Sequence, residues 1–278
     1  MKLYRFEDGA LVVTGEDRRF APGFSFDGLF RESDPASWLR SRLSALEKAG
    51  EAREGHTLPP IESQEVWAAG VTYRRSREAR MEESEKEKDI YDRVYRAERP
   101  ELFFKATAHR VIGHGGDVGI RSDSEWNVPE AELALAIGSG GRIFGYSIGN
   151  DMSSRSIEGE NPLYLPQAKI YDGSCALGPC LLLTDEPLPD STPISIRVAR
   201  EGRVAFEGAT RLSEMKRSPS ELADFLFRDN SFPNGCYLLT GTGIVPESEF
   251  TLAPGDEIAI TIEPIGTLVN RVRSRDAK

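Results

Sequence analysis

The chain has 278 residues, 39% of them hydrophobic and 29% charged, enough to bury a sizeable core as one large domain or as one domain with an appendage. A formal net charge of −10 argues against nucleic acid as a partner, because phosphate binding needs a basic surface. No run approaches the ~18 apolar residues of a membrane span, and the start of the chain lacks the apolar core of a signal peptide, so a cytoplasmic location is expected.

Residues 3–13 predict a pair of strands turning at Asp8 and Gly9. A helix start at Asp34 and Pro35, followed by apolar residues near helical spacing, predicts a helix over 34–48 that stops at Gly50. Pro59 and Pro60 mark a linker at 56–61, which predicts a small N-terminal α+β domain, 1–62, and a larger domain, 63–278. Residues 65–73 read as a short buried strand. The dense charged stretch 74–99 reads as a lid-like exposed helix with mixed-sign pairs. Its leading cluster of Arg74, Arg75, Arg77 and Arg80 either holds an anionic substrate or balances nearby glutamates.

Beyond residue 101, strands are predicted at 102–105, 118–121, 128–137, 143–151, 180–184, 194–199, 237–240 and 257–262, separated by Gly- and Pro-rich turns. One helix is predicted over 218–228, with Ser218 as N-cap and Pro219 in the first turn. The fold class is therefore α+β and strand-dominated, a β-roll or sandwich. No phosphate-binding glycine motif and no nucleophile elbow occurs, so nucleotide folds and serine hydrolases lack support. Cys175, Cys180 and Cys236 lack zinc-type spacing and read as reduced, buried, small apolar residues. The three histidines form no ligand arrangement.

One hairpin stands apart. Glu130 and Glu132 are two residues apart on a predicted strand and so share a face. If Gly140 and Gly141 form a two-residue turn, Glu130 lies opposite Asp151 on the returning strand, with Cβ atoms roughly 5 Å apart. Like charges so placed repel, and a divalent cation would relieve them. The competing reading, a polar strand face turned to water, stays open from the residues alone.

The motifs around this hairpin resemble, in order, those of the fumarylacetoacetate hydrolase superfamily: Pro-Glu-Leu-Phe-Phe-Lys at 100–105, Glu130-x-Glu132, Gly-Asn-Asp-Met-Ser-Ser-Arg at 149–155, Lys169, Leu-Gly-Pro at 177–179, Thr-Gly-Thr-Gly at 240–243 and Pro-Gly-Asp-Glu at 254–257. The resemblance covers residues 64–272. Ala-Gly-Val-Thr-Tyr at 69–73 and the stretches 96–105 and 158–169 are similar to the 2-keto-3-deoxy-D-arabinonate dehydratase branch. The resemblance implies a mixed β-sandwich roll and a homodimer or homotetramer. It implies one hard cation, Mg²⁺ or else Mn²⁺ or Ca²⁺, held by Glu130, Glu132 and Asp151. It implies Lys169 and Glu101 as catalytic groups, and Thr242, Arg155, Tyr73 and Lys105 as contacts to a small anionic 2-keto acid.

Two departures bear on the chemistry. The hydrolases of the superfamily carry a water-activating histidine a few residues after the position of Tyr73, and this chain has arginines there. Glu78 or Glu82 is the available substitute. Ser156 stands where the superfamily often has aspartate, so no role carries over to that position. The expected reaction is loss of water from a 2-keto-3-deoxy sugar acid through a metal-stabilised enolate, giving 2-oxoglutarate semialdehyde. The alternatives are an acylpyruvate or fumarylpyruvate C–C hydrolase, an oxaloacetate decarboxylase, or a keto-acid binding protein without turnover.

Overall fold

The computed structural model describes residues 1–50, 57–76, 78, 88–184 and 186–274. Arg77, Arg80 and Glu82 lie outside the described residues, as does most of the first half of the predicted charged helix. Its C-terminal part is a helix, Lys88–Arg96.

Two sheets form the body. The larger has 11 strands and runs Glu47–Lys48, Asp17–Pro22, Gly9–Thr14, Lys2–Phe6, Cys175–Leu183, Ile143–Asp151, Ala131–Ile137, Cys236–Leu239, Glu65–Gly70, Glu101–Thr107, with Val111–Ile112 beside Cys175–Leu183. The smaller has five: Arg203–Arg211, Pro193–Arg200, Glu257–Ile262, Gly266–Ser274 and Asp117–Ile120. This is the expected strand-dominated α+β sandwich of mixed sheets. The segment expected as a small N-terminal domain joins the larger sheet edge-on, Lys2 opposite Leu182 and Leu3 opposite Leu181.

The alternation of a central strand organises the core. In Ala131–Ile137 all seven residues are buried. Leu133, Leu135 and Ile137 face the smaller sheet, where they pack with Ile194, Ile196, Ile258 and Ile260. Ala134 and Ala136 point the other way, toward Phe26, Leu29 and Phe30 of a short N-terminal helix. A strand buried on both faces reads as a continuous apolar run, which is why it was recognisable. Glu130 and Glu132 fall on the alanine side by the same two-residue period.

Local signals set the helix ends. Ser218 caps Pro219–Phe227 by accepting from the Glu221 amide at 3.1 Å, as predicted. Asp34 caps its helix by accepting from Ser37, but that helix is only Pro35–Arg40. The Ser41 hydroxyl and Arg42 both donate to the Trp38 carbonyl, competing with the helical bonds, and Glu47–Lys48 is drawn into the sheet against Arg19 and Phe20.

Candidate metal centre and active site

The hairpin register is the one the carboxylates require. Ala131 pairs with Asn150, Glu132 with Gly149 and Leu133 with Ile148, and the Asp151 amide donates to the Glu130 carbonyl at 3.0 Å. Glu130 and Asp151 are therefore opposite one another, though by a different turn from the one expected. Gly138 bonds to Arg142, which leaves three residues in the loop, with Gly141 left-handed at φ 83. A three-residue loop ending in a left-handed glycine is a common hairpin closure. The one-residue shift it introduces is undone by a bulge between Ala136 and Ile137.

One oxygen from each of Glu130, Glu132 and Asp151 lies within 4.8 Å of the others, and all three residues are buried. Three side chains and one backbone amide answer these charges. Lys169 sits at the C-terminal end of a short helix, Leu165–Lys169. Its Nζ donates to Glu130 at 2.7 Å, to Asp151 at 3.1 Å and to Ser153 Oγ at 2.6 Å. Arg155 pairs with Glu130 at 2.8 Å and with Glu158 at 3.2 Å. Lys105 Nζ lies 2.5 Å from Asp151 Oδ1. The Gly241 amide donates to Glu132 at 2.5 Å.

The carboxylates do not titrate alike. Burial pushes the Glu132 carboxyl well above its ordinary value, and the charges of Asp151 and Glu130 add to the rise. Burial acts the same way on Asp151, but Lys105 and Lys169 outweigh it and hold that carboxyl below its ordinary value. A buried site that one carboxyl can enter fully charged only with added positive charge is suited to a cation. The donor set is oxygen throughout, which fits Mg²⁺, Mn²⁺ or Ca²⁺ and not a thiolate-seeking metal. Cys175 lies nearby, but burial pushes its thiol up to about 12 and keeps it out of that chemistry.

A cavity opens over Glu130 and Asp151, walled by Gly70, Val71, Glu101, Phe103, Arg155, Glu158, Lys169 and Thr242 among others. Glu101, Lys169, Arg155 and Thr242 thus come together on its wall. Glu101 pairs across the strands with Gly70 and packs so closely on it that a Cβ there would lie 2.5 Å from the Glu101 Cδ.

Two expected substrate contacts stand elsewhere. Lys105 is not on the cavity wall: along Glu101–Thr107 the residues Glu101, Phe103 and Lys105 share a face, and the third sits beneath the carboxylates, 0% exposed. Tyr73 also leaves the wall, because the chain exits its strand through Val71 at φ 53, a left-handed turn that ends the strand alternation. Tyr73 instead packs under Gly243, facing a second cavity with Arg74, Arg75, Arg211 and Glu214, and pairs with Met215.

Sequence reasoning missed Ser153, Glu158 and the Gly241 amide. Ser153 is two residues beyond Asp151 and Glu158 three beyond Arg155 on a helix, spacings that put each beside its partner. Gly241 reaches Glu132 from the loop that follows Cys236–Leu239, and no local signal marks it. Ser156 accepts from the Trp126 amide at 3.0 Å, and the carboxylates facing Arg155 are those of Glu130 and Glu158. No histidine among the described residues lines the cavity. His109 contacts Thr107 and His114 accepts from Val269, while Glu78 is paired with Arg74 at 2.8 Å.

Known proteins share this arrangement of sheets and sequence. A probable 2-keto-3-deoxyxylonate dehydratase of Haloferax volcanii is 50% identical over 218 residues, covering 78% of this chain and 75% of that protein. A 2-dehydro-3-deoxy-D-arabinonate dehydratase of Saccharolobus solfataricus is 44% identical over 256 residues, covering 89% of this chain and 86% of its own length. A solved structure of 2-keto-3-deoxy-D-arabinonate dehydratase complexed with magnesium and 2,5-dioxopentanoate superposes with a TM-score of 0.85 at 36% identity, over 100% of both chains. The family model for the fumarylacetoacetate hydrolase C-terminal region matches residues 65–273. The chain belongs to the fumarylacetoacetate hydrolase family.

Proposed function

We propose that the protein is a metal-dependent dehydratase of a 2-keto-3-deoxy sugar acid, a 2-keto-3-deoxy-D-arabinonate-like substrate, giving 2-oxoglutarate semialdehyde. The observation that carries this is the pairing on one cavity wall of Lys169 and Glu101 with a buried carboxylate trio, and no histidine among the described wall residues. Glu130, Glu132 and Asp151 would hold the cation, which when bound supplies charge that stabilises an enolate.

The chain's own groups do the rest. Lys169 and Glu101 between them provide the base that removes a C3 proton and the acid that protonates the departing C4 hydroxyl, so that water leaves, no bond to carbon is hydrolysed, and the 5-hydroxy enone that results tautomerises to the aldehyde. Arg155 and Thr242 bind the substrate's anionic end. Phe103 and Leu165, also on the wall, limit the water that reaches it.

Residues 63–278 carry this chemistry, since every site residue lies there, with 1–62 as an N-terminal appendage. Three buried free cysteines fit a cytoplasmic location, and no described helix is long and apolar enough to cross a membrane. A homodimer or homotetramer is the assembly we infer from the family resemblance.

The test is turnover of a panel of 2-keto-3-deoxy acids and acylpyruvates with Mg²⁺, Mn²⁺ or EDTA. Metal-dependent dehydration is expected. Efficient cleavage of an acylpyruvate with no dehydration would overturn the reading. Glu132→Gln should abolish both cation binding and turnover, and retained metal stoichiometry would contradict the ligand assignment.

A further inference from the structure

We infer that Lys105 is a built-in counter-ion that lets the carboxylate site fold without its cation and thereby weakens that cation's binding; the inference rests on the proposed metal site. An ammonium group has three hydrogens and accepts none. Lys105 Nζ donates to the Met152 carbonyl at 3.1 Å and to the Lys169 carbonyl, and it makes an ion pair with Asp151 Oδ1 at 2.5 Å. The residue is 0% exposed, so its ammonium does not face a substrate. Lysine is almost never fully buried without such pairing.

Its position explains what the pairing does. The buried charged side chains of the site are Glu130, Glu132, Asp151 and Glu158 against Lys105, Arg155 and Lys169. With all four acids ionised, as a bound cation would have them, they are in excess by one formal charge, and losing Lys105 would double that excess. Lys169 and Arg155 stand on the cavity wall, within reach of ligands. Lys105 stands behind Asp151, off that wall, and no entering ligand displaces it.

Asp151 does not depend on Lys105 for its placement. Its strand is flanked by Ala131–Ile137 on one side and Cys175–Leu183 on the other, its amide donates to Glu130, and Lys169 holds its second oxygen. Removing the Lys105 charge therefore alters the field at Asp151 more than its position. Because a dication feels a neighbouring positive charge twice as strongly as a monocation does, the change favours the metal.

The experiment compares the full-length wild type with Lys105→Met and Lys105→Arg, using Mn²⁺ as probe. Calorimetric titration reads affinity, and thermal unfolding is run with EDTA and with saturating Mn²⁺. Lys105→Met should bind Mn²⁺ at least about tenfold more tightly, opposite in sign to the usual 10–100-fold loss on removing a residue that orients a ligand. Its unfolding temperature should fall in EDTA and recover largely with Mn²⁺. Lys105→Arg, which keeps the positive charge, should bind Mn²⁺ much more nearly as the wild type does than Lys105→Met.

Unchanged or weaker Mn²⁺ binding by Lys105→Met overturns the proposal. So does an equal loss of stability with and without Mn²⁺, or failure to fold in both, since either assigns the lysine to packing. A raised KM with unchanged cation affinity would make it a substrate contact and equally overturn it. A wild type that binds no Mn²⁺ would instead remove the metal site itself.

Discussion

Gly70→Ala should silence the enzyme while leaving its metal site intact. Gly70 pairs with Glu101 on the neighbouring strand, and the added methyl would overlap the Glu101 carboxyl, 2.5 Å from Cδ and 3.1 Å from Oε1, with Oε2 closer still. The Gly70 backbone is not among those with positive φ, so alanine meets no conformational penalty of its own. The strain falls on the far end of a side chain that can rotate. Overpacking of this kind costs about 1–3 kcal/mol, and the carboxyl leaves the position from which it would serve as acid or base.

Proton transfer by a positioned group contributes about 10²–10⁴-fold, so kcat should fall by that factor. Cation affinity should hold, because the three atoms nearest the new methyl all belong to Glu101 and none to Glu130, Glu132 or Asp151. Steady-state kinetics on a 2-keto-3-deoxy acid, with Mn²⁺ titration in parallel, makes the measurement. Combining Gly70→Ala with Glu101→Gln should add little to either alone, since both remove one function. A Gly70→Ala protein with kcat near wild type would refute both the role of Glu101 and the packing argument.

Cation binding should tighten with rising pH and release a proton, because the raised Glu132 carboxyl must ionise to serve as a ligand. In EDTA the sign for stability is opposite. The folded chain keeps a proton on Glu132 that the unfolded chain has lost, so stability declines as pH rises from the ordinary value of 4.5 through the raised one. Asp151, held low, contributes stability above 3.8 that is lost as pH falls through its depressed value. Calorimetry in buffers of different ionisation enthalpy, and melts across that range, would show it; pH-independent Mn²⁺ affinity would sink the idea. The thiols should be inert in the native protein, since burial pushes Cys180 up to about 11 and Cys175 up to about 12. Labelling by a thiol reagent at pH 8 should appear only with denaturant, and rapid native labelling would count against the buried placement.

Short-range patterns were sufficient for a good part of this molecule. The two-residue period of Glu130 and Glu132, the apolar run that follows and the returning strand to Asp151 imposed a register in which three carboxylates converge. Even the misread turn did not disturb it, because a bulge restores the pairing that burial of both strand faces demands. Ser218 and Pro219 likewise announced their helix from residues three apart. In each case the deciding forces act between near neighbours or along one strand, so they are written in spacing.

Only the tertiary structure decided which groups stand on the cavity wall. Lys105 belongs to the strand that carries Glu101, yet one further step along that face takes it under the carboxylates. Tyr73 is sent to another cavity by the left-handed Val71. The Gly241 amide reaches Glu132 across 109 positions of sequence. These placements follow from how strands far apart in the chain are brought side by side, as where Cys236–Leu239 runs parallel to Glu65–Gly70. A residue's chemistry is local, but the charges and walls it meets are supplied by segments that its own neighbourhood does not encode.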